Sequence, residues 1–252
     1  MSDTLVVNEI YLSLQGESTF AGLPCVFVRL TACNLRCSYC DTAYAFAEGK
    51  KLTLAEIRAQ VRRLAKPFAT ARNPERGTRN ENAKLPLVEL TGGEPLLQPN
   101  APPLMQSLCD DGFTVLVETS GAHDISGIDP RVRRIMDLKC PGSGEVERNR
   151  WENLPHLKAT DEIKFVIGMA EDYEWAKQQM AAHQLASICP LLFSWAHPLS
   201  ASQQDKSLKP VPFGLTPISR RELAERIVAD ALPVRFQVQL HKILWPPEQR
   251  GV

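Results

Sequence analysis

The sequence predicts an α/β fold, a partial (β/α) barrel of about six parallel strands. Short apolar runs alternate with helix-period segments along the chain, the order that builds a parallel sheet with crossover helices. Each segment with chemical character follows the C-terminal end of such a run, where α/β barrels and open α/β sheets place their active sites. Length bounds the strand number: in 252 residues with long loops, a complete barrel does not fit, and one domain spanning 1–252 is expected.

Residues 6–14 read as extended, with Ile10, Leu12 and Leu14 alternating with polar or aromatic neighbours, and they end in Gln15-Gly16-Glu17. Gly22-Leu23-Pro24 signals a turn, and residues 25–30 form a short strand apolar enough to be buried on both faces. Thr53 caps a helix with Glu56 three positions on, and Leu54, Ile57, Val61 and Leu64 give that helix one apolar stripe. Residues 66–85 are polar and lack periodicity, so they read as a surface loop insertion; Arg72, Arg76 and Arg79 suit a solvated loop better than a phosphate site.

Residues 87–90 are again a strand, running into Thr91-Gly92-Gly93-Glu94-Pro95. A helix over 103–111 and a strand over 114–117 lead to Glu118-Thr119-Ser120-Gly121, and a strand over 134–138 leads to Lys139-Cys140-Pro141. A strand over 162–167, a helix over 171–183 and a strand over 188–193 deliver Ser194. Residues 200–217 are a second loop insertion, 219–232 a helix with Arg221 and Glu225 at ion-pair spacing, and 234–240 a strand-like tail.

The chain carries 29 basic and 29 acidic residues. No net field recruits nucleic acid or an anionic membrane, so a small-molecule substrate is expected. No run is long and apolar enough to span a membrane, and the first residues lack the basic and apolar regions of a signal peptide, which points to the cytoplasm. Seven cysteines argue against a disulfide framework. Cys25, Cys109, Cys140 and Cys189 are scattered and read as small buried apolar residues.

The other three form the array Cys33-Asn-Leu-Arg-Cys37-Ser-Tyr-Cys40 on one short segment after the strand 25–30. A structural zinc site needs a fourth ligand that the neighbourhood does not supply. An iron-sulfur cluster suits three thiolates better and leaves one iron open to a chelating cofactor. A zinc knuckle or three buried apolar cysteines are the blander alternatives. In Thr91-Gly92-Gly93-Glu94, the glycines allow close backbone approach to a ligand, and Glu94 offers an anionic acceptor for an ammonium group.

CxxxCxxC followed one strand later by GGE resembles the radical S-adenosylmethionine superfamily. Within it, residues 8–17 (Asn-Glu-Ile-Tyr-Leu-Ser-Leu-Gln-Gly-Glu), Gly22-Leu23-Pro24, Val28-Arg29-Leu30, Cys40-Asp41-Thr42, Thr91 to Pro95, Glu118 to Gly121 and His241-Lys242 are similar, in order, to the 7-carboxy-7-deazaguanine synthase family. The resemblance implies a lyase of the queuosine and 7-deazapurine route. It would convert 6-carboxy-5,6,7,8-tetrahydropterin to 7-carboxy-7-deazaguanine by hydrogen-atom abstraction at carbon 6, ring contraction and loss of ammonia. It implies a [4Fe-4S] cluster on Cys33, Cys37 and Cys40, S-adenosylmethionine as cofactor, and Mg2+ with Thr42 as an oxygen ligand. Tyr39, Cys40, Asp41, Gly93 and Glu94 would hold the cofactor, and Leu14, Gln15, Gly16, Arg29 and Thr91 the substrate.

Lys139, Cys140, Pro141 and Ser194 are carried as cofactor neighbours although the pattern departs there: many relatives have Ser-Pro-Lys where this chain has Lys-Cys-Pro, and Trp195 stands where a proline often follows the serine. Arg29 suits a substrate carboxylate or an ion pair with Glu17 or Glu9, and Thr42 suits a magnesium ion or a helix cap. A reducing donor such as flavodoxin or ferredoxin, and a homodimer, follow from family habit. Two other readings stay open: an activase that installs a glycyl radical in a partner enzyme, and a non-enzymatic, metal-stapled binding module.

Overall fold

A computed structural model describes residues 3–68 and 84–252. The chain enters on β1 (Thr4–Leu14), which pairs antiparallel with β2 (Pro24–Leu30) on one side and with the short β3 (Lys50–Thr53) on the other. From β2 onward every pairing is parallel, through β4 (Leu87–Gly92), β5 (Val115–Thr119), β6 (Arg133–Asp137), β7 (Glu162–Ile167), β8 (Leu191–Trp195) and β9 (Arg235–Gln237). The sheet is open, with nine strands in the order β3-β1-β2-β4-β5-β6-β7-β8-β9. It is the partial barrel expected, with one more parallel strand. Only the first part of the strand-like tail pairs, as β9, and the chain then turns into α5 (His241–Leu244).

The helices begin where local chemistry allows. In α1 (Leu54–Ala65) the Thr53 hydroxyl accepts from the Glu56 amide at 3.2 Å, and the Glu56 carboxylate accepts from the Thr53 amide at 2.7 Å. Such a cap contributes about 1 kcal/mol. α2 (Ala101–Asp110) starts earlier than its prolines suggested, because Pro102 and Pro103 lie in the first turn, where a missing N–H costs nothing. α3 (Ala170–Ala182) and α4 (Arg220–Ala229) follow, with Arg221 Nε 2.7 Å from Glu225 Oε1. Residues 66–68 form one 3-10 turn; the rest of the loop insertion from 69 to 83, with Arg72, Arg76 and Arg79, lies outside the described residues.

Period-2 alternation divides the sheet into two faces. Val26, Val28, Val88, Leu90, Val117 and Phe165 pack with Ile57, Val61, Leu104, Leu108, Tyr173 and Leu223 of the helices into one core. On the other face Phe27, Leu87, Leu116 and Ile135 pack with Phe20 into a smaller plug. Phe20 belongs to the loop 15–23 after β1, which reaches across to the far strands. The Thr19 amide donates to Glu162 of β7, and Gln237 of β9 donates to the Ser18 carbonyl at 2.8 Å. No helix among the described residues is long and apolar enough to cross a membrane.

Candidate active site

On the plug face, one or two strand steps beyond the apolar plug, the same alternation presents polar side chains: Arg29 on β2, Glu89 and Thr91 on β4, Glu118 on β5, Asp137 on β6 and Lys164 on β7. All six line a cavity of about 670 Å³, large enough for small-molecule ligands. Arg29 and Thr91 stand in register on neighbouring strands, and Glu89 is in register with Phe27. The apolar plug therefore forms the floor and the charged residues the wall.

The cysteine loop closes the end of the cavity beyond β2. Cys33, Cys37 and Cys40 are free thiols, and all three line the cavity. Ala32 turns the chain with φ 79°, and the Leu35 amide donates to Cys33 Sγ at 3.4 Å. Burial pushes all three thiols up, Cys40 to about 11, while Lys139 opposes it at Cys33 and Cys37. Among the described residues no three His, Cys, Asp or Glu side chains converge on a single ion. Three thiols on one short loop suit a cluster, in which each thiolate binds a different iron. The Tyr39 hydroxyl beside the array is buried with no partner among the described residues, an atom that a ligand on this wall would satisfy.

The GGE turn holds this loop from below. The Gly93 and Glu94 amides donate to the carbonyls of Leu30 at 3.2 Å and Ala32 at 2.8 Å. Gly92 has φ 131°, and a Cβ there would come 2.2 Å from the Leu30 oxygen. The Glu94 carboxylate is fully buried and accepts from Ser120 N at 2.7 Å, Ser120 Oγ at 2.5 Å, Thr119 Oγ1 at 3.0 Å and Leu96 N at 3.0 Å. Glu94 thus clamps the β4 and β5 ends together, and Gly93 rather than Glu94 reaches the cavity wall.

Lys164 is the electrostatic hub. Its ammonium, 6% exposed, pairs with Glu118 and lies 3.4 Å from Glu17 and 3.5 Å from Asp137. Asp137 also pairs with Lys139 at 2.5 Å, and the Thr91 hydroxyl donates to Glu118 at 3.0 Å. Burial would raise Glu17 and Asp137, but the adjacent lysines outweigh it and hold both carboxyls below their usual values. The same carboxylates hold the Lys164 ammonium well above its usual value against burial. Glu89 behaves oppositely: burial, and then the charge of Glu118, push its carboxyl well up.

Gln15 accepts from the Glu17 and Ser18 amides at 2.9 Å through Oε1 and donates to Glu89 at 3.1 Å through Nε2. Its side chain pins the turn, beside which Leu14 and Gly16 line the cavity. Gly16 packs on His241, whose Nδ1 a Cβ would meet at 3.2 Å. Asp41 is held at about 2, because Lys242 at 2.5 Å outweighs burial, and Gln239 bridges Asp41 and Glu17 at 3.1 Å each. Thr42 makes no side-chain cap on the 3-10 turn after it, and its hydroxyl lies 3.7 Å from Cys40 Sγ. Arg29 pairs with Glu9 at 2.7 Å. Lys139 and Ser194 line the cavity. Cys140 and Pro141 do not: Cys140 is fully buried in the helix-side core, and Pro141 opens a 3-10 turn.

Nothing in the motifs singles out Lys164, Asp137, Glu89 or Gln239, and Glu17 enters the sequence only as a partner for Arg29. A signal for Lys164 was present, since Glu162, Lys164 and Val166 alternate with Ile163, Phe165 and Ile167. A charged pair on one face of an otherwise apolar strand marks a polar interior.

A family model described as the Radical SAM superfamily matches residues 28–141. A 7-carboxy-7-deazaguanine synthase from Koribacter versatilis is 42% identical to this chain over 98% of it and 99% of the relative. Another from Chlorobaculum tepidum is 39% identical over 98% and 97%. The fold is similar to the crystal structure of QueE from Escherichia coli, with TM-score 0.66 and 21% identity over 94% of this chain and 95% of that one.

Proposed function

The chain belongs to the 7-carboxy-7-deazaguanine synthase family of the radical S-adenosylmethionine superfamily, and from that premise we propose how its cavity carries the family's reaction. The reaction takes 6-carboxy-5,6,7,8-tetrahydropterin to 7-carboxy-7-deazaguanine with release of ammonia, in queuosine and 7-deazapurine biosynthesis. A [4Fe-4S] cluster and S-adenosylmethionine are its cofactors. The observation that carries the assignment of residues is the shared cavity, in which three free thiols and the guanidinium of Arg29 line one space.

When bound, the cluster and S-adenosylmethionine would supply the radical chemistry that abstracts hydrogen at carbon 6 of the pterin. The protein's part is to bind, orient and exclude water. Cys33, Cys37 and Cys40 hold the cluster, Gly93 lets the cofactor approach the backbone, and Tyr39, Asp41, Lys139 and Ser194 line its place. Glu94 acts by clamping Ser120 and Thr119, and Cys140 and Pro141 by shaping the turn beneath. Arg29 binds the substrate carboxylate through hydrogen bonds strengthened by charge. Thr91 borders the ring, held by Glu118, and the backbone of Leu14, Gln15 and Gly16 forms the opposite wall. The Lys164 network holds the Glu17 and Asp137 carboxyls below their usual values, a fixed field facing the ring as its nitrogen is released.

Thr42, its hydroxyl uncommitted to a cap, is read as a ligand of Mg2+, a hard ion that takes its other ligands from water and substrate oxygens. A homodimer, a flavodoxin- or ferredoxin-like electron donor and a cytoplasmic location complete the reading. The glycyl-radical activase is disfavoured by full-length relatives of another activity. Purification without oxygen followed by iron and sulfide analysis tests the residue assignment: Cys37→Ala is expected to lose cluster and turnover together, and an iron-loaded, active Cys37→Ala protein contradicts it.

A further inference from the structure

Arg29 is held by a relay of side chains that ends in the tail, and Tyr11, Tyr44, Glu48 and Arg250 of that relay border the same cavity as Arg29. Its Nε donates to Glu9 Oε1 at 2.7 Å and one Nη to the Tyr11 hydroxyl at 2.8 Å. Its other Nη nitrogen has no protein partner among the described residues. Tyr11 stacks on Phe27 with ring centroids 5.1 Å apart. The same Glu9 oxygen accepts a second hydrogen bond from the Tyr44 hydroxyl at 3.1 Å. One face of the Tyr44 ring is covered by the guanidinium of Arg250, 3.7 Å from its centroid, and Arg250 pairs with Glu48 at 2.8 Å. Glu48 is itself fixed, since its carbonyl accepts from the Thr31 hydroxyl at 2.6 Å and from Asn8 at 2.8 Å.

We propose that Arg250 and Tyr44 are positioning residues for Arg29: with the tail seated, Arg250 fixes the Tyr44 ring, Tyr44 fixes Glu9, and Glu9 presents the free edge of the Arg29 guanidinium to the substrate's carboxylate. The proposal rests on Arg29 as the carboxylate's partner. Glu9 already offsets much of the charge of Arg29, so an incoming carboxylate is held by the geometry of the guanidinium fork more than by net attraction. The Arg250–Glu48 pair is half exposed, at 51% and 58% of the side chains. Pairs so exposed contribute little to stability, so its removal reads out position rather than folding. A cation over an aromatic face also restrains the ring directly.

The test compares two ligands of the reconstituted holoenzyme by calorimetry: the product 7-carboxy-7-deazaguanine, and 7-deazaguanine, which lacks the carboxylate. Arg250→Gln and Tyr44→Phe are each expected to weaken the carboxylated ligand about fivefold or more and to leave 7-deazaguanine unchanged, a coupling typical of side chains in one network. Both variants should raise KM for the substrate with kcat nearly kept. Arg250→Gln should add nothing in an Arg29→Gln background, because both act through one guanidinium. Equal weakening of both ligands, or none, overturns the relay. If Arg29→Gln alone abolishes the preference for the carboxylate while Arg250→Gln and Tyr44→Phe preserve it, Arg29 keeps its role and the relay falls. If Arg29→Gln itself preserves the preference, the reading of Arg29 falls first.

Discussion

Gly93 lies so close to Ala32 that a Cβ at position 93 would stand 2.0 Å from the Ala32 carbonyl oxygen and 3.0 Å from Cys33 Cβ. The obstacle is backbone, so no side-chain rotation relieves it. Gly93→Ala must push the cysteine loop away from the end of β4. It is expected to destabilise the chain by about 1–3 kcal/mol, the usual cost of overpacking, and to lower iron and sulfide content sharply. A Gly93→Ala protein with full iron content would show that the loop tolerates the shift.

Lys164 neutralises three carboxylates from inside the protein. Lys164→Met leaves Glu17 and Glu118 without their lysine, while Asp137 keeps Lys139, and should cost about 3–5 kcal/mol at neutral pH. Glu17 and Asp137 are held below their usual carboxyl values, so the stabilisation is present above those values and lost as pH falls. Urea unfolding of wild type and variant should therefore converge as the pH drops below 4.5, the ordinary glutamate value. A gap independent of pH would assign Lys164 to packing alone.

Glu89 carries the opposite sign. Burial and the charge of Glu118 raise its carboxyl, so the folded state holds a proton that the unfolded state has released. Above the ordinary value of 4.5, wild type loses stability relative to Glu89→Gln, by up to about 1.4 kcal/mol per pH unit. At lower pH the two should match. If wild type gains on Glu89→Gln as the pH rises, Glu89 is ionised in the fold.

Thr42 separates its two readings by metal dependence. Thr42→Ala is expected to raise the Mg2+ concentration for half-maximal activity about tenfold, with Thr42→Ser near wild type, because a hydroxyl ligand is lost in one and kept in the other. An unchanged Mg2+ requirement in Thr42→Ala removes Thr42 from the ion.

Features carried by neighbouring residues were legible in the sequence. The Thr53–Glu56 box, the cysteine spacing and the glycine pair each specify a local conformation, and each is present in the fold. Features assembled across strands were not. The partners of Glu94, Thr119 and Ser120, lie about one crossover away, and only the parallel β4–β5 pairing brings them together. The Gln15–Glu89 hydrogen bond was hidden in the same way, since Glu89 lies on another strand. The tail read as a longer strand because residues 234–240 have strand composition, yet Lys242 is drawn to Asp41 and turns the chain into α5. Arg29 suited a carboxylate or Glu9, and the structure gives it Glu9 with one edge to spare.

The central claim is that this single chain, with its cofactors, converts the carboxylated tetrahydropterin. The direct measurement is turnover by protein purified and reconstituted without oxygen, supplied with S-adenosylmethionine, Mg2+ and a chemical reductant, with no partner protein present. The expected products are 7-carboxy-7-deazaguanine and ammonia in equal amounts. A cluster-loaded protein that cleaves S-adenosylmethionine yet leaves the pterin unchanged would contradict it.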